Sequence, residues 1–403
     1  MNRRLRLTPL VVLSVTVLAG GAPVQESGDE DVLPQPYLAL THVNVVDVRS
    51  GDIARDVTVV LRDGKIASVG AGEGPADAEV IDLKGRYLLP GLMDAHTHLD
   101  DLSAARRALE SGVTTVRSAS VGSYRDVAIR EMVKSGYLAG PDMLAAGVFV
   151  TPNLTEAILA DPLLGKLVGG VNTADKLRHL VRVNLSHGVD VIKTRGTERA
   201  GLPNTDPRKQ VYTESELRVV VEEAAGKGVP VLCHAHGDEG AMAAVRAGVR
   251  SIEHGTYLSD ATLALMKEKG TYLVPTYTTM IDLLESGGDY DHPVVRIRGM
   301  HMLPHIQDTF RRARREGVKI VTGADTGYGP ESITRIPMEI VNFVELGMSP
   351  VEAIQSATTL AAELFQIESK AGTIEVGLEA DLVAIEGNPL ENIRFIQDVL
   401  LVI

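Results

Sequence analysis

His96 and His98 stand one residue apart at the end of the apolar run "GLMDAHTHLD", residues 91–100. Residues i and i+2 of a strand point to the same side, so both imidazoles can reach one centre. Further groups of similar kind close later apolar runs: Lys193 in "DVIKTR", His234 in "VLCHAH", His254 in "SIEHG" and Asp325 in "VTGAD". Imidazoles and carboxylates are ligands of divalent metal ions, and metal binding makes water a nucleophile at neutral pH. The set points to a metal centre. His236 shares a strand face with His234 and opens the following loop, where it is expected to touch substrate or support the ligands. The other histidines, such as His42, His179 and His301, fit solvated or helical settings.

Lys193 is unusual among these groups, because an ammonium beside bound cations would be repelled. Two resolutions stand at this point. Lys193 forms an ion pair with Asp190 or Glu198, or it loses its proton, as a desolvated lysine near positive charge can. The neutral amine can then react with carbon dioxide to give a carbamate, an anion with two oxygens that can bridge two metals.

Such groups need strands that end together. From about residue 90, short apolar runs alternate with amphipathic helical stretches, the pattern of a parallel sheet with helical crossovers. Eight runs can be counted: "YLLPGLMDAH", "TTVRSAS", "DMLAAGVFV", "DVIKTR", "VPVLCHAH", "SIEHG", "TYLVPTYT" and "KIVTGAD". Eight such units predict an α/β fold, a (β/α)8 TIM barrel over residues 91–368, with its chemistry at the C-terminal ends of the strands. No Gly-rich nucleotide loop follows any run, which argues against a doubly wound dinucleotide fold. Before residue 90 and after residue 369, β-branched runs and turn signals such as Asp63-Gly64 predict a small β-sandwich domain built from both chain ends, residues 37–90 and 369–403. The run "VLLVI" stops in mid-pattern, so a final strand is expected to be short or missing.

The chain has 403 residues, 44% of them hydrophobic and 23% charged, with a formal net charge of −13. That charge argues against nucleic acid or an anionic membrane surface as partner. The N-terminus, "MNRRLRLTPLVVLSVTVLAGGAPVQES", reads as a signal peptide over residues 1–22 followed by a linker over 23–36. Its apolar core is shorter than the roughly 20 residues of a spanning helix. The expectation is an exported protein, periplasmic or secreted. Cys233 is the only cysteine, so no internal disulfide can form.

Taken together, "GLMDAHTHL", the later lysine, the two separate histidines and the late aspartate resemble the HxH signature and ligand order of the amidohydrolase superfamily. The resemblance covers nearly the whole mature chain. It implies a binuclear site of two divalent metal ions, usually zinc. His96, His98 and Asp325 would hold the more buried ion, His234 and His254 the second, and a carbamylated Lys193 would bridge both. It also implies a homo-oligomer. Within the superfamily, "GVTTVR", "TESELRVVVEEAAGKGVPVLCHAHG" and "AGVRSIEHG" are similar to the group containing Xaa-Pro and Xaa-Arg/Lys dipeptidases, ochratoxin-type amidases and imidazolonepropionase-like proteins. There are departures. Ser118 stands where that group often has Asp, and "VFVTPNLTEAILADPLLGKL" lacks the group's Gly-Gly-His-Gly stretch. His236 stands where many dipeptidases have Tyr. All three lie where substrate recognition would sit.

The expected reaction is hydrolysis of an amide or peptide-like C–N bond in a small substrate. A metal-bridging hydroxide attacks, and Asp325 takes its proton and passes it to the leaving nitrogen. The same site could cleave a lactone, carbamate or phosphotriester, and a non-catalytic metal- or ligand-binding protein is the third reading. Candidate substrate contacts are Arg195, Arg199 and Arg208 in the long loop "TRGTERAGLPNTDPRKQVY", where a guanidinium could clamp a carboxylate. Tyr277, expected to end the seventh strand, and Tyr328, just past Asp325, are further candidates.

Overall fold

The structure is a computed structural model that describes Val11–Val12 and residues 37–403. Apart from Val11–Val12, the expected signal peptide (1–22) and linker (23–36) lie outside the described residues. No helix among the described residues is long and apolar enough to cross a membrane.

Val11–Val12 forms β1. Strands β2 (Leu38–Val46), β3 (Ile53–Arg62) and β4 (Lys65–Gly70) make an antiparallel meander. Asp63 and Gly64, both at positive φ, turn the chain between β3 and β4, as a two-residue hairpin loop requires. Strands β5 (Glu79–Asp82) and β6 (Tyr87–Pro90) both pair parallel to β2. At Gly91 the run "YLLPGLMDAH" changes sheets, and β7 (Leu92–Thr97) begins the parallel part of the molecule. A Cβ at Gly91 would collide with the Thr114 side chain, so only glycine permits this close crossing.

Strands β7, β8 (Val113–Ser118) and β9 (Asp142–Leu144) form one parallel sheet. A second comprises β10 (Ile192–Arg195), β11 (Val231–Ala235), β12 (Ser251–His254) and β13 (Tyr272–Val274). Isolated parallel bridges continue both edges. Val150 pairs with Thr194, Leu273 with Ile320, and Thr326 with Thr97. The eighth run, "KIVTGAD", thus enters through single bridges and backbone hydrogen bonds such as Val321 N to Leu273 O at 2.9 Å. Register sets Arg195 beside His234 and Ala235 beside His254, so the ends of β10, β11 and β12 lie level.

The crossover helices follow their sequence signals. Thr213 and Glu216 form a capping box at the start of the helix Glu214–Ala225. Gly248 and Gly270 end the helices Asp238–Ala247 and Asp260–Lys269 in the left-handed conformation. The helix Asp238–Ala247 packs tightly on the loop after β10, because a Cβ on Gly196 would sit 2.5 Å from the Gly240 carbonyl oxygen. One large apolar core joins strands and helices. Strands β14 (Leu382–Ile385) and β15 (Val399–Val402) then return to the first sheet, where β14 pairs antiparallel to β6 and β15 flanks it. Hydrogen bonds link these strands from both chain ends into one mixed, eight-stranded sheet. Leu40, Val59, Ile66, Leu88 and Leu382 form its own core.

Candidate metal centre

Strand ends β7, β10, β11 and β12 and the segment after Ile320 bring His96, His98, Lys193, His234, His254 and Asp325 to the wall of one cavity of about 660 Å³. Donor atoms of His96, His254 and Asp325 lie within 4.8 Å of one another, and so do those of His234, His236 and His254. His98 joins through Nε2, 3.1 Å from Asp325 Oδ1. His254 therefore belongs to both groups, and His236 packs on it with ring centroids 4.6 Å apart.

Each of the four expected histidine ligands has one ring nitrogen committed elsewhere. His96 Nδ1 faces Glu253 Oε2 at 2.6 Å, and His98 Nδ1 faces the Ser120 carbonyl at 2.6 Å. His234 Nε2 faces the Glu198 carbonyl at 3.1 Å. The Thr276 hydroxyl donates to the Pro275 carbonyl and accepts from His254 Nδ1 at 2.7 Å. An N–H directed at an acceptor leaves the second ring nitrogen with its lone pair, the state a ligand requires. Burial also favours the uncharged imidazole. It lowers the His96 pKa to about 4 and that of His236 to about 3, and holds His234 and His254 well below the ordinary value. Burial works in the opposite direction on Asp325, but the facing imidazoles of His96, His98 and His254 prevail and keep its carboxyl well below the usual range. The set thus combines neutral imidazoles with an anionic carboxylate, which fits a divalent metal ion.

Lys193 is buried, and its one hydrogen-bond partner among the described residues is His96 Nε2, 3.4 Å from Nζ. The ion-pair alternative is not what forms. Asp190 pairs with Arg130 at 2.5 Å, and Glu198 with Lys209 at 2.8 Å. Desolvation lowers the lysine pKa to about 8, within reach of the neutral amine.

Among the expected substrate contacts, Arg195, Arg199 and His236 line the cavity. Arg208, Tyr277 and Tyr328 do not. Arg208 is drawn to the surface by Asp206, 3.2 Å away. Tyr277 does not end a strand; it opens the helix Tyr277–Asp282, and its hydroxyl meets Gln307 at 2.7 Å. Tyr328, at positive φ, turns inward and donates to Asp94 Oδ2 at 2.8 Å. Asp94 Oδ1 in turn accepts from the backbone N–H groups of His96 and Ala324 at 2.9 and 3.0 Å. Tyr328 therefore braces the strand end that carries His96, the first expected ligand.

Two supporting residues were not anticipated from sequence. Glu253 is fully buried and binds His96 with one oxygen and Arg117 Nη2 with the other, at 3.0 Å. Arg117 also donates to the carbonyl of Ala95 and the hydroxyl of Ser251. A charge in the middle of the apolar run "SIEHG" was the available signal for Glu253.

Comparison with known proteins agrees with this arrangement. A model described as "Amidohydrolase family" matches residues 87–403. The ochratoxinase of Aspergillus niger is 28% identical over 391 residues, covering 86% of this chain and 81% of that protein. An imidazolonepropionase of Symbiobacterium thermophilum is 27% identical, covering 83% of this chain and 86% of its own length. A solved structure of a Xaa-Pro dipeptidase with methionine bound in its active site superposes with a TM-score of 0.80 and 33% identity, covering 90% of this chain and 97% of that one.

Proposed function

The chain belongs to the amidohydrolase family of hydrolases acting on C–N bonds, and from that premise we propose that it cleaves an amide or peptide-like bond of a small substrate at a centre of two divalent ions. In this reading the two parallel sheets and their bridging runs form a single (β/α)8 barrel spanning residues 91–368, flanked by the β domain of residues 37–90 and 369–403. His96, His98 and Asp325 would hold one ion, probed most naturally as zinc, and His234 and His254 the other. Lys193, carbamylated, would join the two. The leader-like N-terminus supports export to the periplasm or beyond, and the family resemblance supports a homo-oligomer.

The observation that carries the reading is the convergence of six donor-capable side chains, from five separate chain segments, on one cavity. When bound there, divalent ions lower the pKa of water from about 15.7 to about 7 and polarise the scissile carbonyl. The protein's own groups do the rest. Glu253, Ser120, Thr276 and the Glu198 carbonyl fix the imidazoles in their tautomers. Asp325, anionic and lodged among three imidazoles, takes the proton of the attacking water and delivers it to the leaving nitrogen. That delivery is needed because an amide anion is a very poor leaving group. His236, with Nδ1 2.9 Å from the Thr256 hydroxyl, lines the cavity beside these ligands and faces the substrate.

The test is a parallel screen of dipeptides, N-acyl amino acids, lactones and phosphotriesters with zinc and bicarbonate supplied. Amine release from the first two classes at rates well above the others is the expected result. Faster turnover of lactones or phosphotriesters would reassign the bond, and a metal-loaded protein inert toward the whole panel would overturn the enzymatic role.

A further inference from the structure

The cavity holds a charge imbalance that its metal ligands do not explain. Arg195 follows Lys193 by two residues on β10 and so projects to the same side, beside His234. Its guanidinium lies over the Phe149 ring, 4.7 Å from the centroid, and its buried Nε has no hydrogen-bond partner. Arg199, in the loop that follows β10, lines the same cavity. Among the described residues neither arginine has a carboxylate partner.

The acidic groups that could neutralise them are occupied. Glu198 gives one oxygen to Lys209 at 2.8 Å and the other to the Asp206 N–H at 2.8 Å. Asp100 pairs with Arg125 at 3.2 Å. Asp325 belongs to the imidazole cluster. The loop bearing Arg199 is also fixed in place. Arg298, on the helix Pro293–Glu316, donates to the carbonyls of Ala200, Leu202, Pro203 and Thr205. Four carbonyls held by one guanidinium make a firm mount for the residue that precedes them. Two cations lining one cavity, one with an unpartnered buried donor, are stabilised by an anion and destabilised by its absence.

We propose that the substrate's leaving group is an acidic amino acid, of the aspartate or glutamate class, with its two carboxylates divided between Arg195 and Arg199. This deepens the hydrolytic reading above and rests on it. The α-carboxylate lies one carbon from the scissile nitrogen, so it falls to Arg195, which shares β10 and its face with Lys193. The side-chain carboxylate reaches outward to Arg199 on the loop. A monoanionic leaving group would leave one guanidinium without a counter-charge, and a basic one would add to the repulsion.

Two readouts separate this inference from the reading beneath it. The first is equilibrium binding of L-glutamate and L-glutamine, the leaving groups themselves, to the zinc-loaded full chain by calorimetry. The second is kcat/KM for Ala-Glu, Ala-Gln and Ala-Lys. A charge-assisted hydrogen bond predicts a preference for the acidic member of about 10- to 100-fold in both. Arg199→Gln is expected to collapse that ratio, and Arg199→Glu to shift it toward Ala-Lys. Equal binding of L-glutamate and L-glutamine, or a ratio unmoved by Arg199→Gln, overturns the inference even if dipeptides are hydrolysed. Selective binding of L-glutamate that Arg199→Gln removes, with neither dipeptide nor N-acyl amino acid turned over, upholds the subsite and rejects the hydrolytic reading instead.

Discussion

Asp325→Asn is expected to lower kcat by about 100-fold or more while bound metal per chain stays largely unchanged. Asparagine keeps the size of the side chain and one carbonyl oxygen for the ion, so the cavity and the packing against His96 and His98 survive. What it loses is the ability to accept a proton. General acid–base groups contribute roughly 10²- to 10⁴-fold to rate, and in the proposed mechanism the same carboxylate serves both halves of the transfer. Its surroundings suit a proton carrier, since Oδ1 sits 3.1 Å from His98 Nε2 and 3.4 Å from His96 Nε2, and Oδ2 sits 4.0 Å from His254. Steady-state kinetics read beside elemental analysis of the same preparation make the comparison. Near-normal turnover by the variant would remove Asp325 from the proton-transfer role.

The largest expected effect on stability comes from Arg117→Met. Arg117 and Glu253 are buried side by side, 3.0 Å apart. Burial would raise the Glu253 carboxyl, but the Arg117 guanidinium and the His96 hydrogen bond hold it down at about 2. Removing one partner of such a pair leaves a charge without compensation in the interior, at a cost of about 3–5 kcal/mol. Methionine fills similar volume, so the loss reports charge more than cavity. Denaturant unfolding should show a lowered midpoint, and the double variant Arg117→Met/Glu253→Gln should recover part of it. An unshifted midpoint would mean that the pair is solvated and does not anchor His96.

The way these residues reach the site explains what the sequence makes legible. Alternation along a strand puts His96 and His98 on one side, and the same rule links Lys193 with Arg195 and His234 with His236. These are local relations, readable from spacing of two. Strand ends could be located because apolar runs stop at Gly, Pro or polar residues. "TYLVPTYT" misled on this point. Pro275 has no N–H to give the ladder, β13 stops at Val274, and Thr276 turns left-handed, so Tyr277 starts a helix. "KIVTGAD" has the apolar character of a strand, yet its described pairing is confined to isolated bridges. Arg208 departs from expectation because its partner, Asp206, is only two residues away and removes it from the cavity.

Other features depend on partners far apart in the chain. Glu253 and Arg117 are separated by 136 residues, and Tyr328 and Asp94 by 234. No spacing rule joins them, and their pairing exists only once the strands are side by side. The fate of Lys193 was open for a related reason. Whether it pairs with Asp190 or Glu198 depends on Arg130 and Lys209, which reach those carboxylates from elsewhere. With both acids already engaged, Lys193 keeps one imidazole as hydrogen-bond partner among the described residues and lies over the Phe149 ring, and that is the environment in which a lysine can give up its proton.

The central claim is that bound divalent ions and these six side chains together hydrolyse a C–N bond. Its most direct test is amine release from a dipeptide or N-acyl amino acid, measured on purified protein as isolated, after chelation, and after zinc and bicarbonate are restored. The account predicts that activity falls to background on chelation and returns in proportion to metal regained, approaching two ions per chain. Turnover that survives complete removal of metal would contradict it.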